Sequence, residues 1–116
     1  MDLSKLRVID GFVGGSLVDI NSGMELASEG SENFPLEIAA AGNTQVLRAK
    51  RRTLKSLGLE DQVEDINIFL ADQIHILRPL TNGDTIFLYV VLDRKVANFA
   101  LARKQIHEFE RKLELI

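Results

Sequence analysis

The run TIFLYVVL, Thr85 to Leu92, is the strongest constraint in the chain. Successive side chains of a strand point to opposite faces, and here both sets are apolar: Ile86, Leu88, Val90 and Leu92 on one side, Phe87, Tyr89 and Val91 on the other. Such a strand must be packed from above and below, which places it at the centre of a sheet with helices on both faces. The remaining sequence has to supply its neighbouring strands and two covering layers.

The neighbours are marked by turn residues. Thr81-Asn82-Gly83-Asp84 is a strong hairpin turn linking the central strand to Ile74–Leu80. Ahead of that, Val63 to Leu70 sets Ile66, Ile68 and Leu70 opposite Asp65 and Asn67, and its polar face puts it nearer a sheet edge. Ala71-Asp72-Gln73 turns it into the next strand. Near the N-terminus, GGSLVDINSGMELASEG reads as a second hairpin, with strands Phe12–Ile20 and Met24–Ser28. Gly23, in the turn Asn21-Ser22-Gly23, is free to take positive φ. Gly14-Gly15 has no phosphate-loop spacing and begins a strand instead of opening a helix; its bare backbone permits a close helix approach or a bulge.

Phe34 to Leu57 has helical periodicity. Pro35 suits the first turn, Glu37 sits near the positive end of the dipole, and Gly58 is a stop. Leu36, Ala39, Ala40, Val46, Ala49, Thr53, Leu54 and Leu57 form one broad apolar face. From Arg94 onward, Val96, Phe99, Ala102, Ile106, Phe109, Leu113 and Ile116 keep a spacing of three and four to the end of the chain. Met1 to Ile9 makes a short helix with Leu3, Leu6 and Ile9 on one side. The order helix-strand-strand-helix-strand-strand-strand-helix, with hairpin-linked strands, predicts an α/β (α+β) three-layer α/β/α sandwich around a five-stranded antiparallel sheet. At 116 residues, positions 1–116 are expected to form one domain.

Several function classes are disfavoured. The chain has no cysteine, which removes disulfides, thiolate catalysis and most structural zinc sites and points to the cytoplasm. No apolar run approaches the roughly 18 residues of a membrane span, and the N-terminus lacks a signal-peptide core, so no membrane insertion is expected. A formal charge of −3 argues against general nucleic-acid binding. His75 and His107 are not at metal-ligand spacing; HEFER, 107–111, resembles the start of a zinc-protease motif but carries Arg111 where the second histidine belongs. A Ser16–His75–Asp triad would need Ser16 on a strained elbow, whereas it sits mid-strand. The expectation is a protein that is not an enzyme, with no cofactor and no metal, whose product is a surface.

Two charged groups mark that surface. Arg48, Arg51, Arg52 and Lys55 cluster on the long helix opposite its apolar stripe, a candidate partner-binding face or simply a solvated one. Lys50 falls inside the stripe, between Val46, Leu54 and Leu57. Glu60, Asp61, Glu64 and Asp65 surround the entry to the third strand, where they keep it soluble or discourage misregistered edge pairing.

The pieces GGSLVDINSGMELAS, DQIHILRPL and TIFLYVVLDRKVANFALARKQI, in that order, resemble the roadblock family of dynein light chains and prokaryotic regulators of Ras-like small GTPases. The similarity runs from about Val8 onward, with a first helix shorter than family members usually carry. It implies a profilin-like or longin-like fold and a homodimer in which the third strands pair. Lys50, Leu54, Glu64, Ile66, Asn67 and Ile68 would then lie at the dimer interface, with Lys50 near the two-fold axis. It implies a non-catalytic adaptor or regulator that binds a Ras-like GTPase and modulates its GTP hydrolysis, docking on Arg48, Arg51, Arg52 and Lys55. The alternative is a passive dimeric scaffold, light-chain-like, that clamps peptides in a larger assembly.

Overall fold

The computed structural model describes residues 1–32, 34–81 and 83–115. Strands β1 (Phe12–Asp19), β2 (Glu25–Glu29), β3 (Ile66–Phe69), β4 (Gln73–Leu80) and β5 (Gly83–Asp93) form one sheet in the order β2-β1-β5-β4-β3, with antiparallel neighbours throughout. β5 is central, as its two apolar faces require, and Phe87 to Leu92 are each 0% exposed. On one face, Phe87, Tyr89 and Val91 pack with Val18 and Leu77 beneath Leu36, Ala40 and Leu47 of helix α1 (Leu36–Ser56). On the other, Leu88, Val90 and Leu92 pack with Leu17, Ile74 and Ile76 against Ala102 and Ile106 of helix α2 (Phe99–Lys112) and Leu3, Leu6 and Ile9 at the N-terminus. Each buried aliphatic side chain contributes about 1.5–3 kcal/mol, so the two half-cores together hold the layers on the sheet.

The N-terminal hairpin is barren of reactive groups because it is a packing element. A Cβ at Gly14 would stand 3.1 Å from Leu36 of α1, and one at Gly15 would stand 2.9 Å from Leu6 on the other side of the sheet. The two glycines thus let both layers approach β1 closely. Gly23 takes φ 76° in the turn, and the amide of Asp19 donates to Met24 O across it at 2.9 Å.

Four boundaries differ from the sequence expectation by three residues or more. The first helix is a single 3-10 turn, Ser4–Val8. β3 is four residues, and Asp65, just ahead of it, accepts from Arg103 Nε at 2.7 Å. α2 begins at Phe99, not Arg94. Asn98 caps it, its side chain accepting from the Leu101 amide at 3.1 Å, while Arg94–Val96 form a turn. The helix stops at Lys112, with Leu113 extended but still packed on the core. Asn82, in the expected β4–β5 turn, and Ile116 lie outside the described residues.

Candidate interaction surface

β3 and β2 are the outer strands of the sheet, and they differ in chemistry. β2, ELASE, carries Glu25, which accepts from Ser16 Oγ, and Glu29, which is paired with Arg7. Charges of this kind blunt an edge. β3, INIF, has none. Ile66 and Ile68 face α1 and pack at the margin of its half-core, whereas Phe69 faces α2, its ring 4.9 Å from that of Phe99. Asn67 shares that second face, and its Oδ1 is buried with no hydrogen-bond partner among the described residues.

The apolar face expected on α1 divides in two. Leu36 and Ala40 of that face are buried against the sheet, together with Leu47, which the expected stripe did not include, and Thr44, whose hydroxyl donates to Ala40 O at 2.7 Å. Val46, at 41% exposed, and Leu57, at 65%, are left in the open with Ala49 and Thr53. Periodicity marks a helix face as apolar without indicating whether this chain or another covers it. A groove of about 600 Å³ runs between this open flank and the segment entering β3, lined by Val46, Lys50, Leu54, Glu64 and Ile66 among others. The structure therefore gathers Lys50, Leu54, Glu64 and Ile66 into one groove, with Ile68 on the same sheet face and Asn67 on the opposite one. Lys50 is exposed at the groove wall.

The four cations of α1 do not form a single free ridge opposite the docked face. Arg48 lies beside that face and turns inward, its Nε donating to Ile20 O at 2.8 Å and its Nη2 to Asn21 O, which ties α1 to the β1–β2 turn. Arg51 is half-buried and lines, with Leu54 and Lys55, a cleft of about 790 Å³ whose far wall is Pro79–Thr81. Arg52 and Lys55 are exposed.

Sequence reasoning missed an ionic cluster beneath α2. Arg78 lies on β4 among Ile76 and Leu80 and is buried. Its Nε donates to Glu110 at 2.5 Å, its Nη2 to His107 Nδ1 at 2.7 Å, and its Nη1 stands 3.9 Å from Asp65. The other Glu110 oxygen accepts from the Thr81 amide and hydroxyl. Burial pushes the Glu110 carboxyl up, but these donors outweigh it and hold its pKa below the ordinary 4.5. The available signal was a lone charge within the apolar alternation of QIHILRPL. Arg103, bonded to Asp65, extends the cluster to the entry of β3, so the edge strand is anchored to α2.

Under α1, His75 and Tyr89 make a second polar group. His75 Nε2 lies 2.9 Å from Gln73 Oε1 and its Nδ1 3.0 Å from the Tyr89 hydroxyl, so the imidazole bridges the two side chains. Burial lowers the imidazole pKa from 6.5 and raises that of the Tyr89 phenol, against the pull of its bond with Asn43. Phe34 covers the imidazole edge-on, with ring centroids 5.8 Å apart. Ser16 bonds Glu25, not His75, so the residues of the imagined triad are not brought together. Among the described residues, no three His, Asp or Glu side chains converge to hold a metal ion, and no helix is long and apolar enough to cross a membrane.

No protein-family model matches the chain, and no curated protein does. Solved structures do. A roadblock/LC7 domain from Streptomyces avermitilis superposes with a TM-score of 0.79 at 16% identity, over 93% of this chain and 88% of that one. Myxococcus xanthus MglB gives a TM-score of 0.80 at 19% identity, over 92% and 77%. MglC from Myxococcus xanthus gives 0.64 at 16% identity, over 94% and 89%. The sheet order, the helix on each face and these superpositions together establish that the chain has the roadblock fold.

Proposed function

We propose that the chain acts in the cytoplasm as a non-catalytic homodimeric adaptor or regulator that binds a Ras-like small GTPase. The observation that carries this reading is the uncharged edge of β3, continuous with the open apolar groove of α1. An edge strand with free backbone groups is a pairing template, and a symmetric copy closes the association at two chains. The two sheets then become one, and the α1 helices of the two copies lie side by side over it. Lys50, Leu54, Glu64, Ile66, Asn67 and Ile68 belong to that interface. Likeness to another MglB structure, described as having a tetrameric arrangement (TM-score 0.71), supports association as a use of this fold.

Joining two α1 helices creates a platform that neither copy has alone. Arg52 and Lys55 stand outward on it for an acidic partner surface, with Arg51 at the cleft beside them and Arg48 bracing the helix from behind. The regulatory act is a population shift, in which the dimer favours the GTPase conformer whose switch loops position the attacking water. The test is single-turnover GTP hydrolysis by a Ras-like GTPase of the same organism, with and without the purified dimer, together with binding to its GTP- and GDP-loaded forms. Preferential binding to one nucleotide state or altered turnover supports the reading. Equal binding without altered turnover leaves a passive scaffold, and the absence of binding removes the GTPase as partner.

A further inference from the structure

β3 is by itself a weak element to offer a partner. It is four residues long, has one neighbour in the sheet, and follows a stretch, residues 59–65, without regular structure. A strand of that length with a single ladder opens readily on its own. Ile66 and Ile68 reach only the margin of the α1 half-core, and the groove of about 600 Å³ separates α1 from the segment leading into the strand. The remaining fastening comes from the α2 side.

There, both ends of the strand are gripped by one short segment, the passage from β5 into α2. At the entry, Arg103 donates to both carboxylate oxygens of Asp65, from Nε at 2.7 Å and from Nη2 at 3.3 Å, with Arg78 a further 3.9 Å contact. This fork fixes direction as well as distance. The Asp65 side chain is 8% exposed, so water competes little for it. At the exit, Arg94 donates from Nη1 to Leu70 O at 2.8 Å, while its guanidinium lies 5.3 Å from the centre of the Phe69 ring. Phe99 meets that ring edge-on and stands one helical turn before Arg103, on the same face of α2. Asp65 and Leu70 flank β3 directly, so the strand is tied at each end.

The grip leaves the outward edge clear. The Leu70 amide bonds Gln73 O at 2.9 Å, and bonded pairs alternate along the ladder, so Ile66 and Ile68 bond β4 while Asn67 and Phe69 turn their backbone groups outward. We propose that Arg94 and Arg103 are positioning residues for association: they hold β3 extended in the lone chain, so that this outward row meets a second copy already ordered. The proposal rests on the dimer reading above and needs no particular register. Without the two arginines, the strand must be ordered at the moment of pairing, and in both copies at once. The apparent dissociation constant then rises as the inverse square of the fraction of chains with β3 in place. A fall of that fraction to about one third gives a dimer about tenfold weaker.

The test compares the parent with Arg94→Ala plus Arg103→Ala, and with Arg7→Ala, which breaks a similarly exposed ion pair at the β2 edge. Sedimentation gives the dimer dissociation constants. Hydrogen exchange, read by mass spectrometry on each chain diluted below its own dissociation constant, compares peptides covering β3 and β5. The double variant should dimerise about tenfold more weakly. It should lose the protection that β4 gives the Ile66 and Ile68 amides, with β5 as protected as in the parent. Arg7→Ala should match the parent in both readouts. Arg94→Ala alone, which leaves the Asp65 fork intact, should show the same effects in smaller degree. Unchanged β3 exchange, faster β3 exchange with an unchanged dissociation constant, or an equal rise in β5 exchange in both the double and the single variant would each overturn the role given to the two arginines. A parent that stays monomeric at every concentration would overturn the dimer reading, and the proposal with it, even where β3 exchange rises as expected.

Discussion

Replacing Arg78 with Met breaks the cluster under α2 at its centre. The side chains of Arg78, Asp65 and Glu110 are 6%, 8% and 9% exposed, so the charge left on Glu110 has little access to water. Removing one partner of a buried ion pair typically costs about 3–5 kcal/mol, a large part of the roughly 5–15 kcal/mol that holds a domain folded. With a urea slope of about 1.5 kcal/mol/M, the unfolding midpoint falls by about 2–3 M. Replacing Glu110 as well, in Arg78→Met with Glu110→Leu, removes the stranded carboxylate. Asp65 keeps Arg103, and the exposed His107 turns to water. The double variant should therefore recover to within about 1 kcal/mol of the parent. Urea unfolding followed by far-UV circular dichroism, at one protein concentration because association adds to stability, reads both. A single-variant loss below about 0.5 kcal/mol, or a double variant no better than the single, would refute the claim that this cluster is desolvated and mutually dependent.

Four further outcomes follow from other parts of the molecule. The His75 imidazole is held below its ordinary 6.5, so the unfolded chain takes up its proton first and stability falls as pH drops below 6.5. Urea midpoints between pH 8 and pH 5 should show this decline, and His75→Gln should flatten it; below 4.5, Glu110 adds its own loss by the same sign. Gly30 has φ 83°, and a Cβ there would meet Val13 O at 2.5 Å, so Gly30→Ala should cost about 1–3 kcal/mol. Gly42→Ala, exposed in α1 with nothing within 4 Å of the new Cβ, should gain about 0.5–1 kcal/mol in the same assay. Arg52→Glu with Lys55→Glu should weaken capture of the GTPase while moving stability by less than about 0.5 kcal/mol; undiminished capture would assign docking to another face.

The sandwich was legible because β5 has no polar face: a strand of that composition leaves the chain few places to put it, and turn residues on either side of its neighbours supply the order. What could not be read was which layer would cover each apolar stretch. The stripe on α1 spans positions that pack on this chain's own sheet, such as Leu36 and Ala40, and positions such as Val46 and Leu57 that do not. A periodicity of 3.6 treats them alike. The start of α2 was misplaced because Val96 fits the helical spacing, although Asn98 is a capping residue that could have marked the boundary. The bond between Arg78 and Glu110 joins residues 32 positions apart and has no local pattern. Arg48 had none either, since an arginine that braces a turn and one that meets a partner look the same in sequence.

Strand pairing at the β3 edge carries the proposed platform, and one substitution isolates it. Proline removes a backbone N–H. At position 67 that N–H points away from β4, because the Leu70 amide bonds Gln73 O and bonded pairs alternate along the ladder, so Asn67→Pro spares the internal ladder and deletes a donor of the open edge. Sedimentation equilibrium on the parent and this variant should give twice the 13.0 kDa chain mass for the first. The second should be a folded monomer with the parent's far-UV spectrum. A parent that stays monomeric at every concentration, or an Asn67→Pro chain that still sediments as a dimer, would contradict the account.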